Sequence, residues 1–149
     1  MHIVIDASVL VGLLVPNDVW HAQAVALWET IKTAGHSIVY FDCVAAESIS
    51  MITRRLHEKG RTADIEAVLD RLQAQVPSTV ITWILPDVLG LYHGVLSLIR
   101  SSLGALNFND ALIALACQQR GIPAIASFDP DFDQVPWLRR LARPEDVPV

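Results

Sequence analysis

Short runs of β-branched and aromatic residues alternate along this chain with longer stretches whose apolar positions recur every three or four residues. Strands joined by helices produce this alternation, and it predicts a parallel α/β sheet. The first expected strand is His2 to Ile5, apolar on both faces as a central strand requires. A short helix from about Val9 should stop near Pro16, and Asp18 is placed to cap a second helix through Ala22, Val25, Leu27 and Ile31 to Gly35. Ser37 to Phe41 reads as the second strand. Asp42 then caps an expected helix through Ala45, Ile49 and Ile52 that ends at Gly60, and Thr62 caps another from Ala63 to about Val76. Thr79 to Ile84 reads as a strand, followed by a helix from Pro86-Asp87 to about Gly104. Asn107 or Asn109 caps a helix from Asp110 to Arg120 that stops at Gly121, and Pro123 to Phe128 is the next expected strand. An acidic turn and a tail of short strand or coil complete the chain. No repeat or Gly/Ser linker divides it, so residues 1–149 are expected to form one domain, a parallel sheet sandwiched by helices in three α/β/α layers.

Composition sharpens this picture. Apolar residues make up 52% of the chain and charged residues 18%, below the usual ~25%. Such a chain buries a large core and is not disordered. The net charge of −5 argues against a generic basic nucleic-acid wrapper but not against an enzyme that reaches nucleic acid through metal ions. Cys43 and Cys117 stand far apart, which excludes a cysteine zinc site and a disulfide framework and fits a reducing cytoplasm. Asp6 interrupts the apolar start, so no signal peptide is expected. The longest apolar runs, such as Val9 to Val15, fall far short of a membrane span.

The acids fall at element ends. Asp6 sits at the carboxyl end of the first strand, and Asp129, Asp131 and Asp133 follow the carboxyl end of the last well-marked one. Asp110 lies in the first turn of a helix and Glu47 in the first turns of another. Sites in parallel α/β sheets form outside the carboxyl ends of strands, where the following helices also begin. Each acid has an ordinary alternative. Asp6 and Ser8 could cap the first helix, and Asp42 reads as a cap and nothing more. Glu47 could be solvated, Asp110 a plain first-turn acid, and Asp129-Pro130-Asp131 a simple turn. The ordinary reading weakens for Asp6 and Asp129, which end buried strands where charge is costly. Oxygen-only ligands at strand ends suit Mg²⁺ or Mn²⁺.

Four segments now stand in order: I-V-I-D-A-S at Ile3 to Ser8, Glu47, N-D-A-L-I-A at Asn109 to Ala114, and A-S-F-D-P-D-F at Ala126 to Phe132. Together they resemble the PIN domain, the nuclease domain of VapC-type toxins in toxin–antitoxin pairs. The resemblance covers nearly the whole chain. It implies a parallel sheet between helices and cleavage of single-stranded RNA with Mg²⁺ or Mn²⁺. Position by position, Asp6, Glu47, Asp110 and Asp129 match the four family acids, and Ser8 and Ser127 match two small hydroxyl positions. Asp131 stands where many members carry a further acid, and Asp133 lies beyond the pattern. The resemblance implies Asp6, Asp110 and Asp129 as metal ligands, some through water, with Glu47 either a ligand or the group that orients the attacking water. The ions would reverse the local sign of charge and polarise the phosphoryl oxygen, so no Cys or Ser nucleophile is required.

Other residues carry weaker signals. The five histidines share no metal spacing. Arg54, Arg55, Lys59 and Arg61 suit a helix C-terminus, although Arg54, seven residues from Glu47, is a candidate RNA phosphate contact. Arg139, Arg140 and Arg143 read as surface residues, and Trp20, Trp28, Trp83 and Trp137 as core or interface rather than base-stacking platforms. There is no P-loop or G-x-G-x-x-G, and Asp6-Ala7-Ser8 lacks the second carboxylate of a haloacid-type phosphatase. Two classes remain. One is a metal-dependent ribonuclease, either a toxin or a stand-alone RNA-processing nuclease. The other is an interaction module that keeps the fold. A homodimer is expected, with Met51, Ile52, Leu56, Ile65 and Leu69 supplying the shared surface. The resemblance also implies an antitoxin that inserts a basic side chain among the acids.

Overall fold

A computed structural model describes residues 1–148. Five parallel strands, β1 (His2–Ile5), β2 (Ser37–Phe41), β3 (Ile81–Thr82), β4 (Ala124–Ala126) and β5 (Arg139–Leu141), lie in the order β3-β2-β1-β4-β5. β1 is central, with Ile3 opposite Ile38 on one side and Ala124 on the other. Ile3, Val4 and Ile5 are fully buried, as its unbroken apolar run predicted. From β1 the chain first builds outward through β2 to β3, then returns to place β4 on the opposite side of β1. The order therefore reverses between β1 and β4, and their carboxyl ends flank a topological switch point.

Helices flank the sheet. α1 (Ala7–Leu14) packs on α2 (His21–Thr33) and α3 (Asp42–Glu58), with α4 (Ile65–Gln75) against both α1 and α3. α5 (Val88–Ser101) and α6 (Phe108–Arg120) pack on each other. The approach of α1 to α2 is close because Gly12 faces Ala24; a Cβ at Gly12 would stand 2.9 Å from the Ala24 methyl. Gly121 ends α6 in the left-handed region at φ 63°, which a β-carbon would strain.

Several boundaries differ from expectation for identifiable reasons. Asp18 does not cap α2; its carboxylate accepts the Trp20 N–H at 2.9 Å, and the helix starts at His21. Thr62 opens a short 3₁₀ turn, and α4 begins only at Ile65. The third strand is shorter than Thr79 to Ile84. Ser78–Val80 forms a 3₁₀ turn, and the N–H groups of Ile84 and Leu85 are taken by Asp42, each at 3.0 Å. Asp42 is thus more than a cap: buried itself, it ties the start of α3 to the segment after β3. The fourth strand loses both ends of the expected Pro123 to Phe128. Pro123 has no N–H, and the Phe128 N–H turns to Ser8 Oγ at 3.0 Å.

The surface expected to join two copies is corrected. Ile52 and Leu56 are buried, and Met51 and Ile65 pack against the core, because α1, α3 and α4 bury their apolar faces on one another; of the five expected residues Leu69 alone is exposed. Five other exposed large apolar residues, Leu85, Leu89, Tyr92, Leu103 and Phe108, lie on and around α5. Trp28 and Trp137 are partly buried as expected, and Trp20 and Trp83 are exposed. Cys43 and Cys117 are free thiols in the core. Among the described residues no helix is long and apolar enough to cross a membrane.

Candidate active site

The carboxyl ends of β1 and β4 are joined by side chains. Asp6 follows β1, and its N–H still bonds to Ala126 O at 3.0 Å, as a ladder continuation would. Its extended backbone makes it the N-cap of α1. Asp6 Oδ2 accepts three hydrogen bonds, from the Ser8 N–H at 3.3 Å, the Ser8 hydroxyl at 2.7 Å and the Ser127 hydroxyl at 2.8 Å. Each hydroxyl is also an acceptor: Ser127 Oγ takes the Asp129 N–H and Ser8 Oγ the Phe128 N–H, both at 3.0 Å. The two serines therefore relay the position of Asp6 to the turn after β4. In that turn Asp129 caps a 3₁₀ segment, and its Oδ1 accepts the Asp131 N–H at 2.9 Å.

Asp110 arrives from α6 through a reciprocal cap. Asn107 Oδ1 accepts the Asp110 N–H at 3.0 Å, and Asp110 Oδ2 accepts the Asn107 N–H at 2.9 Å. This settles the alternative between Asn107 and Asn109 in favour of Asn107. Asn109 has a different partner, donating from Nδ2 to Glu47 Oε2 at 3.2 Å and so holding the α3 acid against the start of α6.

The four acids share one electrostatic neighbourhood. Burial, then repulsion from Asp6, Asp129 and Glu47, pushes the Asp110 carboxyl up to about 6, although the Asn107 N–H pulls the other way. Glu47 is also raised, first by burial and then by the Asp6 charge, against the Asn109 bond. Each carboxylate spends one oxygen on these positioning bonds. The other oxygen of each (Asp6 Oδ1, Glu47 Oε1, Asp110 Oδ1, Asp129 Oδ2) has no hydrogen-bond partner among the described residues. Nor does any Lys or Arg pair with them there. The ion pairs are Arg55–Asp18, Arg61–Asp64, Arg120–Asp87 and Arg140–Asp133. The result is concentrated, uncompensated negative charge with free oxygen donors, a set that suits a hard divalent cation. The donors do not form a closed cage: among the described residues no group of three or more His, Cys, Asp or Glu side chains is gathered tightly enough to hold an ion directly.

The remaining sequence candidates divide. Asp131 joins the site through its backbone N–H, and its carboxylate has no partner among the described residues. Asp133 lies outside, held by two hydrogen bonds from Arg140 that keep its carboxyl below the usual range. Arg54 is exposed and makes no ion pair among the described residues, while its neighbour Arg55 turns to Asp18. An open groove of about 340 Å³ runs past Glu47, lined also by Cys43, Ser50, Leu85 and Asn109. Burial, aided by the charges of Asp42 and Glu47, pushes the Cys43 thiol up to about 12, so it is no nucleophile. Sequence reasoning missed the role of Asn109. Its partner is 62 residues away, and no local pattern announces such a bond. The Asn107 box did have a signal, an Asn three residues before an acid at a helix start.

A family model described as PIN domain matches residues 3–138. No curated protein matches the chain. Among solved structures, the Mycobacterium tuberculosis VapC20, a Sarcin-Ricin loop cleaving toxin, superposes with a TM-score of 0.68 at 21% identity, covering 91% of this chain and 95% of that one. At that identity the likeness shows a shared fold.

Proposed function

Because this chain belongs to the PIN domain family, we propose that it is a Mg²⁺- or Mn²⁺-dependent endoribonuclease that hydrolyses single-stranded RNA in the cytoplasm. The observation that carries this reading is the set of four carboxylates from four elements, each fixed through one oxygen and free at the other, with no cation paired to them among the described residues. An interaction module would have no need to keep that repulsion. Asp6, Asp110 and Asp129 offer the ligand oxygens, some through water, which suits ions that keep part of their hydration. Bound there, the ions supply charge that offsets the phosphodiester's and polarise its phosphoryl oxygen. Glu47, in the groove wall, ligates or orients the attacking water. Ser8 and Ser127 hold Asp6 in place, Asp131 steadies Asp129, and Arg54 is the candidate contact for a phosphate further along the strand.

The biological role proposed is that of a type II toxin working as a homodimer, supported by the fold shared with VapC20. A pocket this acidic also suits an antitoxin that inserts a basic side chain, and Arg is favoured because its planar fork meets a carboxylate with two bonds. The deciding experiment is cleavage of a labelled single-stranded RNA with Mn²⁺. EDTA should abolish cleavage, and Asp6→Asn or Asp110→Asn should lower it at least about 100-fold, the order of loss expected when a group that stabilises the transition state is removed. Equal activity in purified wild type and Asp110→Asn would refute the assignment. Co-expression with the product of the adjacent reading frame tests the antitoxin, and failure of any neighbouring product to inhibit would point to a stand-alone nuclease.

A further inference from the structure

A second, differently built pocket adjoins the acids. Trp20, which precedes α2, is 46% exposed, and its ring stacks on Phe128 with centroids 5.0 Å apart and planes 24° from parallel. Phe128 immediately precedes Asp129, and its N–H donates to Ser8 Oγ, the same hydroxyl that donates to Asp6. The aromatic pair is therefore fixed to the acid network through one serine. The two rings form part of the wall of a pocket of about 400 Å³, together with Gln23, Arg140, Arg143 and Asp146.

The polar atoms of this wall are unevenly occupied. Arg140 is engaged by Asp133. Arg143 is exposed and makes no ion pair among the described residues. Gln23 Nε2 donates to Ala142 O at 2.7 Å, and its Oε1 has no partner among the described residues. Asp146 Oδ2 accepts the N–H groups of Ala142 and Arg143, and its Oδ1 has no partner among the described residues. One supported aromatic face, one unpaired guanidinium and two free acceptors thus look onto a single space. A nucleotide offers the complementary set: a π-face, a phosphate, and amino or imino donors on the base edge. A purely apolar ligand would leave three of those four groups unsatisfied.

We propose that this pocket is a nucleobase subsite of the nuclease. One unpaired base of the RNA stacks on the outer face of Trp20, an adjoining phosphate meets Arg143, and Gln23 and Asp146 face the donor edge of the base. The inference rests on the ribonuclease reading and names how the substrate is held beside the acids.

The test is steady-state cleavage of a defined single-stranded oligoribonucleotide and of versions carrying one abasic residue at successive positions. For wild type, loss of one particular base should raise KM roughly 10- to 100-fold, the range expected of one stacked base. Trp20→Ala should raise KM on the intact strand by a similar factor, leave kcat within about threefold, and be indifferent to that abasic replacement. Trp20→Phe should restore most of the loss. Arg143→Gln should make the dependence of log kcat/KM on log salt shallower by about 0.7, as expected for one lost phosphate contact on a single strand. An unchanged KM in Trp20→Ala would overturn the subsite. So would a fall in kcat on intact and abasic strands alike, which is the mark of a structural role beside Asp129. A wild type that cuts no RNA would overturn the nuclease reading itself, whereas a wild type that cuts RNA without regard to Trp20 overturns the subsite alone.

Discussion

Asp110 is the residue at which fold and chemistry conflict most openly. Its carboxyl is raised to about 6 from an ordinary 3.8, chiefly by burial. Below pH ~4 it is protonated in both folded and unfolded chains and carries no penalty. Between pH ~4 and about 6 the unfolded chain loses this proton while the folded protein keeps it, so stability falls by roughly 3 kcal/mol, and above about 6 the folded protein holds the disfavoured charge with that loss complete. In EDTA, Asp110→Asn should therefore melt roughly 5–10 °C above wild type at pH 7, with the gap closing at pH 4. Asn keeps an acceptor for the Asn107 N–H, so the cap survives the change. Mn²⁺ at about a hundred times its dissociation constant should add roughly 2.7 kcal/mol to wild type, and Asp110→Asn should lose most of that gain. Thermal melts at both pH values, with and without metal, check both expectations. Equal melting temperatures at pH 7 in EDTA would mean that neither burial nor the neighbouring acids penalise the Asp110 charge. The positions of these acids at strand and helix ends were legible in the sequence. The bonds that hold them, Ser127 to Asp6 and Asn109 to Glu47, were not, because they join residues 121 and 62 positions apart.

Elements were read well where the pattern was local and poorly where a distant side chain intervened. β1 and β2 match their expected bounds because an apolar run in a central strand has one solution. β3 does not, because the Asp42 carboxylate takes the N–H groups that would have extended it. Asp42→Ala should strand the buried N–H groups of Cys43 and Ile84 together with that of Leu85, at a cost of roughly 2–4 kcal/mol. Urea unfolding would show this, and a loss below about 1 kcal/mol would mean water replaces the carboxylate. Asn107→Ala should cost about 1 kcal/mol through the α6 cap. It should also lower cleavage, since the same cap aims Asp110. A variant that loses stability but keeps full activity would separate the cap from the site.

For the whole molecule the prediction concerns the exposed apolar face of α5. Leu85, Leu89 and Tyr92 recur at spacings of four and three, Leu89 is 90% exposed, and Tyr92 approaches Phe108 with ring centroids 6.5 Å apart. Such a stripe on a surface helix marks a contact face, and a second copy related by a twofold axis is the proposed occupant. Light scattering at micromolar concentration should give about twice the chain mass, and Leu89→Asp should reduce it to one. A single-chain mass at every concentration would rule the dimer out. The sequence by itself determined the fold class, the central strand and the placement of the four acids at element ends, because apolar periodicity and the chemistry of element ends are local properties. The tertiary structure alone decided which apolar face is left outward, α5 rather than α3 and α4, because that depends on which helices bury each other. It likewise decided that Trp20 and Phe128 meet beside Asp129. They lie 108 positions apart on different elements, and only the return of the chain to the far side of β1 brings them together.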